Sequence, residues 1–186
     1  MPEPVPRRAT YDDILALPEN VVGELLGGEL HVQPRPAPRH AVAATSLGAL
    51  VHAGFDDKGG GEGGWWILGE PELHLGDDKV VPDIAGWRRE RMPVLPETAW
   101  FELAPDWVCE VISPSTGRKD RAIKQPLYAR ERVPHLWLVE PIARTLEAYR
   151  LGEDGRWLLL GAYGDDDEVA IEPFESMPFS LSRLWV

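Results

Sequence analysis

Cysteine is almost missing from this chain: Cys109 is the single one in 186 residues. That excludes an internal disulfide framework and a cysteine-based zinc site, and it fits a reducing, cytoplasmic setting. Long apolar runs are missing too; none approaches the roughly 20 residues a membrane helix needs. The opening "MPEPVPRRAT" has no apolar stretch of the kind a signal peptide requires, so none is expected. Basic residues are scarce, with 19 Lys and Arg against 31 Asp and Glu and a net charge of −12. Such a surface repels phosphate backbones, which argues against generic nucleic-acid binding through a basic patch. It leaves metal-dependent phosphodiester chemistry open, because that chemistry uses clustered carboxylates whose charge a bound cation offsets.

No internal repeat or composition break divides the chain, and 186 residues suffice for one domain with a proper core, so residues 1–186 are expected to form a single domain. The low-complexity stretch "DDKGGGEGG" (56–64) reads as a flexible loop. It lacks the Lys-Ser/Thr of a phosphate-binding P-loop.

Apolar spacing outlines the elements. Thr10, with Asp13 three residues on, predicts a capped short helix running to about Leu17. "VVGELLGGELHV" (21–32) predicts a hairpin turning at Gly27-Gly28. "RHAVAATSLGALVHAGF" (39–55) has helical periodicity. "WWILGEPELHL", a "GDDK" turn, "VVPDIAGW" (80–87) and "DWVCEVI" (106–112) read as strands, with Pro82 marking an edge or bulge. "RKDRAIKQPLYARERV" (118–133) starts as a helix that Pro126 either kinks or ends. "HLWLVEP" and "TLEAYRL" flank residues 142–144 as a further hairpin, and strands follow to the C-terminus. Strands before and after two helices predict an α/β (α+β) fold, a mixed central sheet with helices packed on it.

Glu110 is the ionisable residue in the most strand-like run of the chain. A buried carboxylate needs a cation, a hydrogen-bond network or a metal. Asp83, in the preceding strand segment, can emerge beside Glu110 if the strands are neighbours. Two carboxylates from adjacent strands form a hard-oxygen site suited to Mg²⁺ or Mn²⁺. A turn-capping Asp83 and an Arg-paired Glu110 would account for the same residues.

"VVPDIAGW" followed by "PDWVCEVISPSTGRKDRAIKQPLYARERVPHLWLVEP" resembles the Uma-type restriction endonuclease family of the PD-(D/E)XK nuclease superfamily. The "GELLGGEL" hairpin and the His-led helix at His40 extend the likeness over most of the chain. The resemblance implies a restriction-endonuclease-like fold and a Mg²⁺- or Mn²⁺-dependent nuclease, acting on nucleic acid, most naturally DNA. It implies that Asp83 and Glu110 hold metal and that Glu24 is an additional acidic residue near the start. The lysine that should follow Glu110 by two residues is Ile112. The resemblance then points to Lys124 on the next helix as the catalytic lysine, with Asp120 one turn earlier to hold its ammonium. An ordinary i,i+4 surface ion pair would look the same in sequence. His40 is a further supporting candidate, toward phosphate or an acidic partner. The other histidines share no metal-ligand spacing. Ser113, Ser115 and Thr116 read as helix capping, and Trp65, Trp66, Trp107, Trp137 and Trp157 as core. A homodimer is expected, paired through exposed tryptophans and the strand-like C-terminus "FSLSRLWV". A nuclease-like scaffold without turnover is the contrasting expectation, favoured by Ile112 and the net charge.

Overall fold

The structure, a computed structural model, describes residues 7–34, 36–56 and 63–186. Most of the glycine-rich loop expected at 56–64 lies outside the described residues.

A short helix α1 (Tyr11–Leu15) leads into the hairpin β1 (Val21–Leu26) and β2 (Glu29–Pro34). The Thr10 N–H donates to Asp13 at 2.7 Å, so the capping expectation holds. The helix stops two residues earlier than its spacing suggested. Pro18 disfavours the helical region for the residue before it, Leu17. Gly27 (φ 63°) and Gly28 (φ 85°) supply the two positive φ values that a type I′ turn requires.

After the long helix α2 (Pro38–Phe55) come β3 (Trp65–Gly69), β4 (Leu73–Leu75), β5 (Asp78–Val80), β6 (Ile84–Arg88) and β7 (Trp107–Val111). A composite helix follows: α3 (Gly117–Lys119), a wide π turn (Asp120–Lys124) and α4 (Gln125–Arg130). Then come β8 (His135–Glu140), β9 (Thr145–Leu151), β10 (Trp157–Gly164), β11 (Glu168–Val169) and β12 (Phe179–Ser180), and a 3-10 turn (Leu181–Leu184).

The central sheet has six strands in the order β10-β9-β8-β7-β6-β3, and a four-stranded sheet has the order β2-β1-β5-β4. In the six-stranded sheet only β7 and β8 run parallel. A parallel pair needs a crossover, and the composite helix is that crossover. The segment expected as one strand over 80–87 is in fact two strands of different sheets, β5 and β6. Pro82 has no N–H to offer a ladder, so the break falls at Val81-Pro82-Asp83. That break releases Asp83 from the sheet.

Both faces of the six-stranded sheet are covered. On one side α2 packs Leu47, Val51 and Phe55 against Trp107, Trp137 and Phe174. On the other lie Leu73, Val80, Trp87, Val108, Leu136 and Tyr128. Strand β7 is buried along its whole length, which explains why its sequence is apolar on both faces. Cys109 is a free, buried thiol of the α2-side core.

"FSLSRLWV" is not the exposed strand expected of it. Only Phe179–Ser180 is extended, paired to β11, and Leu181 and Leu184 are fully buried in the α2-side core. The outer strand left open at that end of the molecule is β10.

Candidate functional site

Alternation along β7 sends Cys109 and Val111 toward α2, and Val108, Glu110 and Ile112 to the opposite face. Ile112 packs in the core on that face, and its N–H donates to the Val139 carbonyl at 2.6 Å. The composite helix lies over this face and delivers Lys124. Its π turn closes through the Gln125 N–H to the Asp120 carbonyl, one residue wider than an α turn. Pro126 follows at once; the wide turn lets the chain stay helical past a residue that clashes with an ordinary turn. Asp120 and Lys124 are thereby both turned inward, at 3% and 1% exposure.

The Lys124 ammonium donates to Glu110 at 2.9 and 3.1 Å and to the Val81 carbonyl at 3.1 Å. It also stands 2.9 Å from Glu24 Oε1 and 3.9 Å from Asp120 Oδ1. This is no surface ion pair. Asp120, expected to hold the ammonium, is its most distant carboxylate neighbour; Glu110 and Glu24 grip it more closely. The Tyr128 hydroxyl, which sequence reasoning missed, donates to Glu110 Oε1 at 2.5 Å. A buried tyrosine one turn beyond Lys124 on a helix facing a strand carboxylate was the available signal.

Burial raises the Glu110 carboxyl to about 8, with Lys124 pulling against it and Asp120, Asp83 and Glu24 adding to the rise. Burial also raises Asp120. Burial lowers Lys124, but Glu110, Glu24 and Asp120 outweigh it and the ammonium is held firmly charged. Glu24, pushed up by burial, ends below the usual range because Lys124 and Lys119 outweigh it. The cluster therefore has more carboxylates than cations to balance them, a composition that suits a further positive charge.

Glu24 is fully buried and meets four partners, three by hydrogen bonds and Lys124 by an ion pair. Gln33 Nε2 (3.2 Å) and Lys119 Nζ (2.5 Å) meet Oε2; the Val81 N–H (3.0 Å) and Lys124 Nζ (2.9 Å) meet Oε1. Lys119 and Gln33 also escaped the sequence reading.

Asp83 stands apart from this buried group. Its Oδ2 accepts from the Val111 N–H at 2.7 Å, next to Glu110 in the chain, and its Oδ1 lies 3.1 Å from His40 Nε2. Continuing the β6–β7 register, which pairs Ile84 with Cys109, sets Asp83 opposite Glu110. Burial lowers His40, but the Asp83 hydrogen bond and charge outweigh it and raise the imidazole above its ordinary value. His40 and Asp83 line two adjoining cavities of about 560 and 340 Å³, bounded by α2, Glu70 and Ser113–Thr116. Glu110 and Lys124 line neither.

Ser113 and Thr116 exchange bonds through Ser113 N–H to Thr116 Oγ1 (3.1 Å) and Thr116 N–H to Ser113 Oγ (3.2 Å), at the start of the composite helix. Thr116 is the N-cap residue but makes no side-chain cap bond to the helix, so these hydroxyls close the turn before the helix instead of capping it as expected. Trp65, Trp107 and Trp137 are buried, while Trp66 and Trp157 pack at the edge of the opposite-face core.

Among the described residues no three His, Cys, Asp or Glu side chains are grouped to hold a metal ion. Mg²⁺, however, is commonly held by one or two carboxylates, with water and substrate phosphate completing the shell. Asp83 has accepting capacity left and faces the cleft, and Glu110 accepts three bonds where a carboxylate can accept about four. The residues present fit such an ion by donor type.

A mixed sheet covered by helices, with carboxylates and a lysine meeting at the strand ends, defines the restriction-endonuclease-like class. The sequence model for "Uma2: Putative restriction endonuclease" matches residues 10–182, and the chain belongs to that family. A crystal structure of a putative nuclease belonging to DUF820, from Anabaena variabilis ATCC 29413, is similar with a TM-score of 0.75 and 23% identity. The match covers 95% of this chain and 97% of that one. No curated protein matches.

Proposed function

We propose that residues 1–186 act as one nuclease domain that hydrolyses phosphodiester bonds, most naturally in DNA, with Mg²⁺ or Mn²⁺. The observation that carries this reading is the place of Asp83: a cleft-facing carboxylate fixed by the Val111 N–H beside a buried Glu110–Lys124 pair. Asp83 and Glu110 would hold the cation, which supplies a water of lowered pKa and offsets charge on the phosphoryl group. Lys124, anchored by Glu110 and Glu24, is a fixed positive charge behind the attacked phosphate. His40 orients the Asp83 carboxylate and, when protonated, adds positive charge to the cleft wall. Asp120 contributes to the negative field that keeps Lys124 charged.

Binding of the cation to the folded chain alone should raise the melting temperature by mass action. Millimolar Mn²⁺ is expected to give a clear upward shift in a thermal melt, and Asp83→Asn should remove most of it. A melting curve unmoved by Mn²⁺ would favour a scaffold that does not turn over. That second reading draws on the sealing of Glu110 and Lys124, at 2% and 1% exposure, away from the cleft.

A homodimer remains part of the proposal, with β10 as its site. Among the described residues the strand pairs with β9 alone, and it leaves Leu158 and Leu159 about half exposed. An apolar outer strand is a template for pairing with a twofold mate. Light scattering at tens of micromolar should give twice the chain mass, and Leu159→Lys should halve it; a monomeric wild type would overturn the dimer. No helix among the described residues is long and apolar enough to cross a membrane. With the free Cys109, a cytoplasmic site of action is the natural setting.

A further inference from the structure

We propose that Glu24 is a positioning residue that clamps Lys119 and Lys124, and that it holds no metal. The inference rests on the nuclease reading for its importance, but its geometry stands alone. A carboxylate has about four lone-pair sites, two on each oxygen. Glu24 accepts on three of them, from Lys119 Nζ, Gln33 Nε2 and the Val81 N–H, and the Lys124 ammonium, ion-paired 2.9 Å from Oε1, covers the remaining side. A cation seated on it would have to displace at least one of these partners at a side chain with no exposed surface. Asp83 differs: one bond falls on each of its oxygens, and it faces the cleft.

The four partners come from three separate parts of the molecule. Gln33 is on the β2 arm of the hairpin, Val81 is at the break between the sheets, and Lys119 and Lys124 flank the first part of the composite helix. Glu24 thus ties the hairpin, the Asp83 loop and the lysine-bearing helix to one buried point. Because Val81 precedes Asp83 by two residues, the same carboxylate fixes Lys124 from one oxygen and the approach to Asp83 from that oxygen too. Lys119 and Gln33 anchor the other oxygen and set its rotation. Both lysines keep fixed directions, with Lys119 the more exposed of the two, at the helix end nearest Ser113–Thr116.

The test separates a clamp from a ligand. Glu24→Gln alone removes charge near the cation, so the decisive variant is Glu24→Gln with Lys119→Met, which leaves net charge unchanged and removes both partners together. Mn²⁺ alone is titrated calorimetrically against wild type, the double variant and Asp83→Asn. The double variant should bind Mn²⁺ within about threefold of wild type. Its kcat for DNA cleavage should fall about tenfold or more with KM little changed, the mark of an interaction used in the transition state. A tenfold or greater loss of Mn²⁺ affinity in the double variant, matching Asp83→Asn, would make Glu24 a ligand and overturn the clamp. If wild type binds no Mn²⁺, the nuclease reading fails and the clamp is decided by a metal-free measurement. Slowly exchanging Lys119 and Lys124 ammonium resonances should be visible by NMR in wild type, assigned with Lys119→Met, and both should move in Glu24→Gln. Movement of one or neither would overturn the clamp without reference to metal or cleavage.

Discussion

Lys124→Met is expected to destabilise the fold by about 3–5 kcal/mol, the scale for removing one partner of a buried ion pair. The side chain is 1% exposed, and its ammonium is shared by Glu110, Glu24 and the Val81 carbonyl. Methionine keeps the stem's bulk but leaves two buried carboxylates short of their nearest cation. Much of the loss is a desolvation penalty on the partners left behind, so it should be partly reversible. Lys124→Met combined with Glu110→Gln should recover a substantial part of it, because the glutamine amide is neutral and its oxygen can still accept from Tyr128. Urea unfolding of the two singles and the double closes a cycle whose coupling term should be large for groups in direct contact. Cleavage should fall in the single variant by two orders of magnitude or more, the scale for losing a positioned charge at the transition state. A single variant within about 1 kcal/mol of wild type would mean the cluster does not hold Lys124 as drawn.

Glu110, Lys124 and the strand break at Pro82 show how far the sequence could carry the argument. Glu110 was conspicuous because a lone carboxylate in "WVCEV" has no reason to be there unless something meets it. The crossover helix was readable from its periodicity, and with it the return of Lys124 over the strand end. Its wide turn was not, since the adjustment that accommodates Pro126 depends on packing against β7 and not on local propensity. The split of 80–87 into two sheets was half legible. Pro82 flagged an interruption, but which sheet each half joins is set by long-range pairing, Leu25 with Lys79 on one side and Ile84 with Cys109 on the other. Gln33, nine positions from Glu24 across the expected hairpin, and Tyr128, one turn beyond Lys124, left a signal in their spacing. Lys119 was invisible because it matters only through a partner 95 positions away, on an element whose placement the sequence does not state. The C-terminus misled for a related reason: "FSLSRLWV" alternates like a strand, yet its leucines are drawn into the α2-side core.

Asp83→Asn should leave the fold standing and remove the chemistry. The asparagine is nearly the same shape. Its carbonyl oxygen can accept from the Val111 N–H, and its amide can donate to His40 Nε2, so both existing bonds have a replacement. At 17% side-chain exposure, on a wall shared by two cavities, the position is also open enough for solvent to meet any unmatched polar atom. The expected stability change is therefore within about 1 kcal/mol, the scale of one ordinary hydrogen bond. What is lost is the negative charge and the free lone pairs facing the cleft. A neutral amide oxygen is a weaker partner for a hard divalent cation than a carboxylate, and Mg²⁺ relies on only one or two protein carboxylates. Mn²⁺-dependent cleavage of plasmid or single-stranded DNA should fall by about two to three orders of magnitude, the scale for losing one electrostatic contributor to a transition state. The contrast with Lys124→Met is the diagnostic: one variant is inactive and stable, the other inactive and weakened. An Asp83→Asn protein that melts with wild type and cuts DNA at the wild-type rate would remove Asp83 from the chemistry, and with it the cleft as the place where phosphodiester bonds are cut.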